Sequence, residues 1–308
     1  MRRSRSLRRA SSSSASSRTC SRAASGSSGS PPWSACRPTK MPGDPPDDAI
    51  DEALDSISDL YEEGDVKQAR KELKRARKAY PGELGFVEWE AVLAADEGEL
   101  ERALKILDEV LAADPSRVFA MRERAHVLEE LWMFDEARKQ LEKLFKDFPE
   151  EWSDLDEAEV RHSLGCCLDR LGNHEAADRE LRAAARLAPD EFFVPPRRSL
   201  QEFEAVVERS LDSIPEDFKP YLEQVRIVVR DYPPLGSPDP YALGLYDGLP
   251  RTERTHADRD HLDTVFVFKR THELFVHPED LEEEIRKTVV HELAHHFGLG
   301  EDDMGEYA

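Results

Sequence analysis

The chain has 308 residues, 65 of them acidic against 43 basic, a formal net charge of -22 and an isoelectric point of about 4.9. That balance argues against nucleic acid or an anionic membrane surface as a partner of the whole chain. No apolar run reaches the ~20 residues that a membrane-spanning helix needs, and the length suffices for two domains.

The acidity is unevenly spread. Met1 to Lys40, MRRSRSLRRASSSSASSRTCSRAASGSSGSPPWSACRPTK, contain no Asp or Glu and almost no large apolar groups. Such a segment cannot bury enough surface to offset chain entropy, so residues 1–45 are expected to be disordered. The absence of an apolar h-region argues against a secretory signal, while the Arg/Ser-rich composition is that of an organelle transit peptide. The preferred expectation is that translation starts at Met41, where MPGDPPDDAIDEAL opens an acidic domain. Cys20 and Cys36 lie in this segment, and Cys166 and Cys167 are sequence neighbours, so the chain has no disulfide framework. A reducing compartment, the cytoplasm, is expected, with Cys166 and Cys167 as small buried residues.

A repeat follows. Pro81, Pro115 and Pro149 are 34 residues apart, as are Ala69, Ala103 and Ala137; Gly64 and Gly98 keep the same step, with Trp132 in the third place. After six extra residues Gly172, Ala177 and Pro189 repeat the spacing. Each unit reads as two amphipathic helices, with small Gly and Ala expected where helices cross and Pro ending the second helix. A single pair cannot bury its apolar face, so neighbours must stack. With Gly, Ala and Pro in register, this segment resembles tetratricopeptide repeats. The resemblance implies an all-α solenoid over residues 46–192 whose concave face holds a protein or peptide partner.

Pro195 and Pro196 break any continuing helix. Ser199 with Glu202 forms a capping box for a helix carrying Phe203, Val207, Leu211 and Ile214 at helical spacing. QVRIVVRDYPP reads as a strand. A Pro/Gly-rich loop with one short strand around Leu243 to Tyr246 comes next, then a strand, DTVFVFKR, from Asp263 to Arg270. Pro278 is expected to open a long helix, with Glu279 and Asp280 favourable to its dipole, that ends at Gly298. Residues 197–308 are therefore an α+β domain.

That helix carries HELAHHFGLGEDD from His291 to Asp303. His291 and His295 stand one turn apart on one face, a separation that lets two imidazoles share a tetrahedral zinc. Glu292 lies beside the metal position, where it can take a proton from a zinc-activated water and return it to a leaving amine. H-E-x-x-H therefore gives each fixed residue a chemical task. A turn at Gly298 would direct the chain back toward the metal. Glu301 stands where H-E-x-x-H-x-x-G-x-x-H peptidases place a third ligand, with Asp302 as the alternative.

Residues of about 200 to 304 resemble the small bacterial zincin-like metallopeptidases of the minimal metalloprotease type. The stretches FEAVVERSLDSIP, VRIVVRDYPP, LGLYDGLP, TVFVFKR and TVVHELAHHFGLGEDD carry the resemblance. It implies a zincin-like fold, one zinc per chain held by His291, His295 and an acidic third ligand, and Glu292 as catalytic base. Glu301 occupies the position where that family has Asp. His296 is expected to pack or support the ligands. Tyr246, His256, His261, His272 and His277 are candidates to stabilise an oxyanion.

Two functions follow. One is a zinc peptidase whose repeats recruit a protein partner or substrate; the other is a repeat adaptor with a structural or vestigial metal site. The second domain has no Cys, the usual ligand of closed structural zinc sites, which favours the peptidase.

Overall fold

The computed structural model describes residues 47–147, 152–212, 214, 219–222, 225–249, 252 and 262–299. The expected disordered start and Met41, together with Pro149, His256, His261, Glu301 and Asp302, lie outside the described residues. Two compact units divide the chain, one running to Ala177 and the other from Asp178.

The first unit is all-α. Its helices are α1 (Asp47–Glu62), α2 (Val66–Ala79), α3 (Leu84–Asp96), α4 (Leu100–Ala113), α5 (Val118–Glu130), α6 (Phe134–Asp147), α7 (Asp154–Arg170) and the first turn of α8 (His174–Leu187). Their cores form a chain: Ile57, Leu73 and Phe86 in one cluster, Leu107, Ala120 and Val127 in the next, Leu128, Leu141 and Leu164 in the third. Each helix pair closes its apolar face only against its neighbour, as a stacked solenoid requires.

The 34-residue step takes physical form here. Ala69, Ala103, Ala137 and Ala177 are all fully buried, where anything larger would push the helices apart. The glycines do something other than permit close crossing. Gly64, Gly98 and Gly172 sit in the turns inside each helix pair with φ of 88°, 82° and 80°, and a Cβ on Gly172 would meet nothing within 4 Å. Their task is the left-handed backbone that reverses the chain. Trp132 takes the same conformation with φ 64°, its ring covered by the Arg170 guanidinium at 4.9 Å. The glycine at a close approach is Gly85, whose Cβ would lie 3.0 Å from Leu54.

The second unit is α+β. Within it lie α9 (Leu200–Asp212), α10 (Lys219–Leu222), β1 (Val225–Arg230), β2 (Gly244–Asp247), β3 (Asp263–Phe268), α11 (Lys269–Phe275) and α12 (Leu281–His296). The capping box of α9 is made: the Ser199 N–H donates to Glu202 at 2.8 Å and the Glu202 N–H to Ser199 Oγ at 3.2 Å. The sheet order is β1-β3-β2, β1 parallel and β2 antiparallel to β3. Strand β3 is central, so both faces bury side chains, and Val265, Val267 and Phe268 are fully buried. The core joins Phe203 and Val207 of α9, Val265 and Val267 of β3, and Leu281, Ile285, Val289 and Leu293 of α12.

Two expectations change. The strand expected to reach Arg270 stops at Phe268, and the chain turns at once into α11. Alternation of apolar residues does not foresee this helix, because its buried side chains include Lys269, Thr271, His272 and Glu273. Lys269 and Glu273 find partners in place: Lys269 pairs with Glu273 at 2.9 Å, and Glu273 takes the Arg198 N–H at 2.8 Å. Helix α12 also begins at Leu281, later than Pro278, because Pro278 to Asp280 form a turn.

Candidate metallopeptidase site

The motif occupies the last turns of α12, and helical geometry sorts its residues onto two faces. His291 and His295 share one face, their rings 4.9 Å apart and perpendicular. His291 is buried and His295 half-buried. Thr288, Glu292 and His296, also one turn apart, share the other face, which meets β2 and β3.

The helix end organises the first face. Gly298 has φ 85°. Its N–H bonds the His295 carbonyl at 3.0 Å, and the Leu299 N–H bonds that of Ala294 at 3.2 Å. This is a Schellman turn, and only a residue tolerant of positive φ closes it without strain. The reversal brings the Leu299 carbonyl within 3.2 Å of His295 Nδ1. A carbonyl only accepts, so Nδ1 carries the proton and Nε2 carries the lone pair that a metal requires.

The second face carries the acid. Glu292 is buried, and a Cβ on Gly244 would fall 2.7 Å from its Cγ and 2.9 Å from its Oε1. The edge strand thus lies directly on the carboxylate arm, with room only because residue 244 has no side chain. One turn further, His296 Nδ1 donates to Asp263 Oδ2 at 2.6 Å. The Tyr246 hydroxyl donates to the same oxygen at 2.7 Å. His296 and Asp263 are fully buried.

The remaining histidines separate clearly. His272 is fully buried. It donates from Nδ1 to the Phe268 carbonyl at 2.8 Å and accepts at Nε2 from the Thr288 hydroxyl at 3.1 Å. Burial pushes its pKa down to about 4, so it stays neutral and supports α12 from behind. Tyr246, a candidate for oxyanion stabilisation, has its hydroxyl engaged by Asp263. His277 is exposed, with its ring against Phe193 at 5.4 Å. In the repeats His126 lies 3.2 Å from Glu130 and His174 2.9 Å from Asp169, local partners without catalytic geometry.

Residues 222–308 match the family model described as zincin-like metallopeptidase. The C-terminal domain is a zincin-like metallopeptidase domain. Two further models, both described as tetratricopeptide repeat, match residues 54–118 and 158–191, so the zincin-like domain follows a tetratricopeptide-repeat solenoid. No curated protein matches the chain. Among solved structures, MamA residues 41 to the end from Desulfovibrio magneticus RS-1 is 18% identical, covering 57% of this chain and 90% of that one with a TM-score of 0.37. Pseudomonas aeruginosa PilF is 19% identical, covering 58% of this chain and 71% of that one with a TM-score of 0.40. A tetratricopeptide repeat protein from Parabacteroides merdae is 17% identical, covering 57% and 66% with a TM-score of 0.35.

The zincin-like family implies zinc, and the donor set agrees in kind. Two imidazoles stand side by side, that of His295 in the tautomer a metal requires, with a carboxylate on the adjoining face of the helix. Among the described residues no group of three or more His, Cys, Asp or Glu side chains is arranged to hold a metal. The expected third ligands, Glu301 and Asp302, lie outside those residues. Sequence reasoning missed Gly244, Gly248 and Asp263. The signal for Gly244 was a glycine inside an apolar strand, which marks a close approach of something else.

Proposed function

We propose that the protein is a zinc-dependent metallopeptidase whose repeat domain, residues 46–192, recruits a protein partner or substrate to a catalytic domain, residues 197–308. The observation that carries the reading is the position of Glu292, with its carboxylate under the edge strand at Gly244 and the His291–His295 pair on the adjacent face. His291 and His295 would hold the ion together with Glu301. Zinc bound there would supply Lewis acidity toward water and the scissile carbonyl.

The chain's own residues account for the remainder. Among the described residues β2 has a partner on one side only, so its outer edge can pair with an extended peptide. Pairing there lays the scissile bond across Gly244, above Glu292. The Glu292 carboxylate takes a proton from the attacking water and hands it to the leaving nitrogen. The Leu299 carbonyl holds His295 in its binding tautomer. No helix among the described residues is long and apolar enough to cross a membrane. Cys166 and Cys167 are buried and outside any disulfide, which supports a reducing compartment such as the cytoplasm.

The test is zinc content and peptide hydrolysis of the full chain beside two variants. One zinc per chain, lost in His295→Ala and kept in Glu292→Gln, with hydrolysis absent from both variants, is the expected outcome. A parent protein that purifies without stoichiometric metal and gains no hydrolysis when zinc is added would refute the reading.

A further inference from the structure

Strand β2 and helix α12 run side by side with matched strides. Two residues of strand advance about 6.8 Å, and four residues of helix about 6 Å. Gly244 therefore meets Thr288 and Glu292, and Tyr246, two residues on, meets His296, four residues past Glu292, with ring centroids 6.1 Å apart. The next same-face residue, Gly248, closes the row: its Cβ would fall 2.5 Å from Asp263 Cγ and 2.7 Å from the Tyr246 hydroxyl.

At the end of that row stands one carboxylate. Asp263 opens β3 and is fully buried, and its Oδ2 accepts from the β2 side through Tyr246 and from the α12 side through His296. A buried carboxylate with two donors at hydrogen-bond distance is held rigidly, because losing either would leave it undersatisfied in a poorly solvating interior. The main-chain ladder ties β2 to β3, through Leu245 opposite Phe266 and Tyr246 opposite Val265. That ladder leaves the distance from β2 to α12 to side chains. Where β2 meets Glu292 it does so at a glycine, so residue 244 has no side chain with which to tie the seam.

We propose that Asp263 is the positioning residue of the site, a buried strap that draws α12 and the edge strand together and thereby fixes the height of the Glu292 carboxylate beneath a peptide lying on β2. This role rests on the metallopeptidase reading for its catalytic consequence and on the buried hydrogen bonds alone for its structural one. The two hydrogen bonds of its Oδ2 go to Tyr246 and His296. Asp263 acts through His296 and Tyr246.

The experiment uses the full chain with two substitutions. Asp263→Ala removes the acceptor of both hydrogen bonds; Tyr246→Phe deletes one hydroxyl and leaves the ring. Hydrogen exchange of the β2 amides, with those of β1 as internal reference, is read beside zinc content and the kinetics. Slackening of about 1 Å at a catalytic contact costs on the order of a hundredfold in rate. The expected result is faster exchange in β2 but not β1, zinc retained, and a kcat lowered about ten- to hundredfold with KM little changed. Tyr246→Phe should fall between parent and Asp263→Ala. The proposal is overturned if β2 exchange is as slow as in the parent, or if β1 and β2 loosen together. It is equally overturned if kcat is unaffected in an enzyme that Glu292→Gln inactivates. Should the parent hydrolyse nothing, the metallopeptidase reading fails, and the exchange comparison still decides the strap.

Discussion

Gly244 and Glu292 touch across the seam between the edge strand and the motif helix: a Cβ on Gly244 would lie 2.7 Å from Glu292 Cγ. Real Cβ atoms do not approach that closely, so one methyl group must displace the carboxylate. Gly244→Ala is expected to keep the metal and the fold and to lower kcat about a hundredfold, the scale of a displacement near 1 Å. Steady-state kinetics beside zinc analysis checks it; a variant as active as the parent would show that Glu292 has slack there.

Gly298 serves the other face. An alanine at φ 85° costs roughly 1–2 kcal/mol in backbone strain, and its Cβ would fall 2.8 Å from Thr252 Cγ2. The turn then opens, and His295 loses the Leu299 carbonyl that fixes its tautomer. Gly298→Ala should weaken zinc binding about 10- to 100-fold, as loss of a ligand's supporting hydrogen bond does elsewhere. Competition with a chromophoric chelator measures this, and an unchanged affinity would remove the carbonyl from the account.

His272 gives the zincin-like domain a pH dependence with a definite sign. Its folded pKa of about 4 lies below the ordinary 6.5. The unfolded chain therefore binds a proton that the folded domain refuses. The stability it confers is complete above pH 6.5 and is lost as pH falls toward 4, by roughly 3 kcal/mol over the whole range. His272→Gln removes this dependence. The stability gap between parent and variant, followed by exchange of α12 amides, should narrow by roughly 2 kcal/mol between pH 7 and 5; a gap independent of pH would contradict the assignment of a neutral buried imidazole.

In the repeats, Gly172 isolates backbone strain from packing, since a Cβ there meets nothing within 4 Å while φ is 80°. Gly172→Ala should destabilise the solenoid by about 1 kcal/mol. Ala137→Leu, at a fully buried crossing, should cost about 1–3 kcal/mol through overpacking. Urea unfolding of both variants tests whether the glycine and alanine of the repeat act by different mechanisms; equal effects, or a neutral Ala137→Leu, would argue that they do not.

The sequence determined the solenoid because a 34-residue step puts the same local constraint in every unit: alanine at a crossing, a left-handed turn, proline after the second helix. Such constraints act between residues near in the chain. It also determined that His291 and His295 share a helix face, since a four-residue spacing does so on any helix. What it could not decide lies across space. Whether Glu292 meets solvent or strand depends on Gly244, 48 positions earlier; whether His296 packs or bonds depends on Asp263, which reads in sequence as a strand start. Helix α11 escaped because two of its buried polar residues take partners brought by the fold: Arg198 for Glu273, Thr288 for His272. Periodicity registers apolar burial, whereas a buried hydrogen bond leaves no period behind, and only the tertiary structure brings its two ends together.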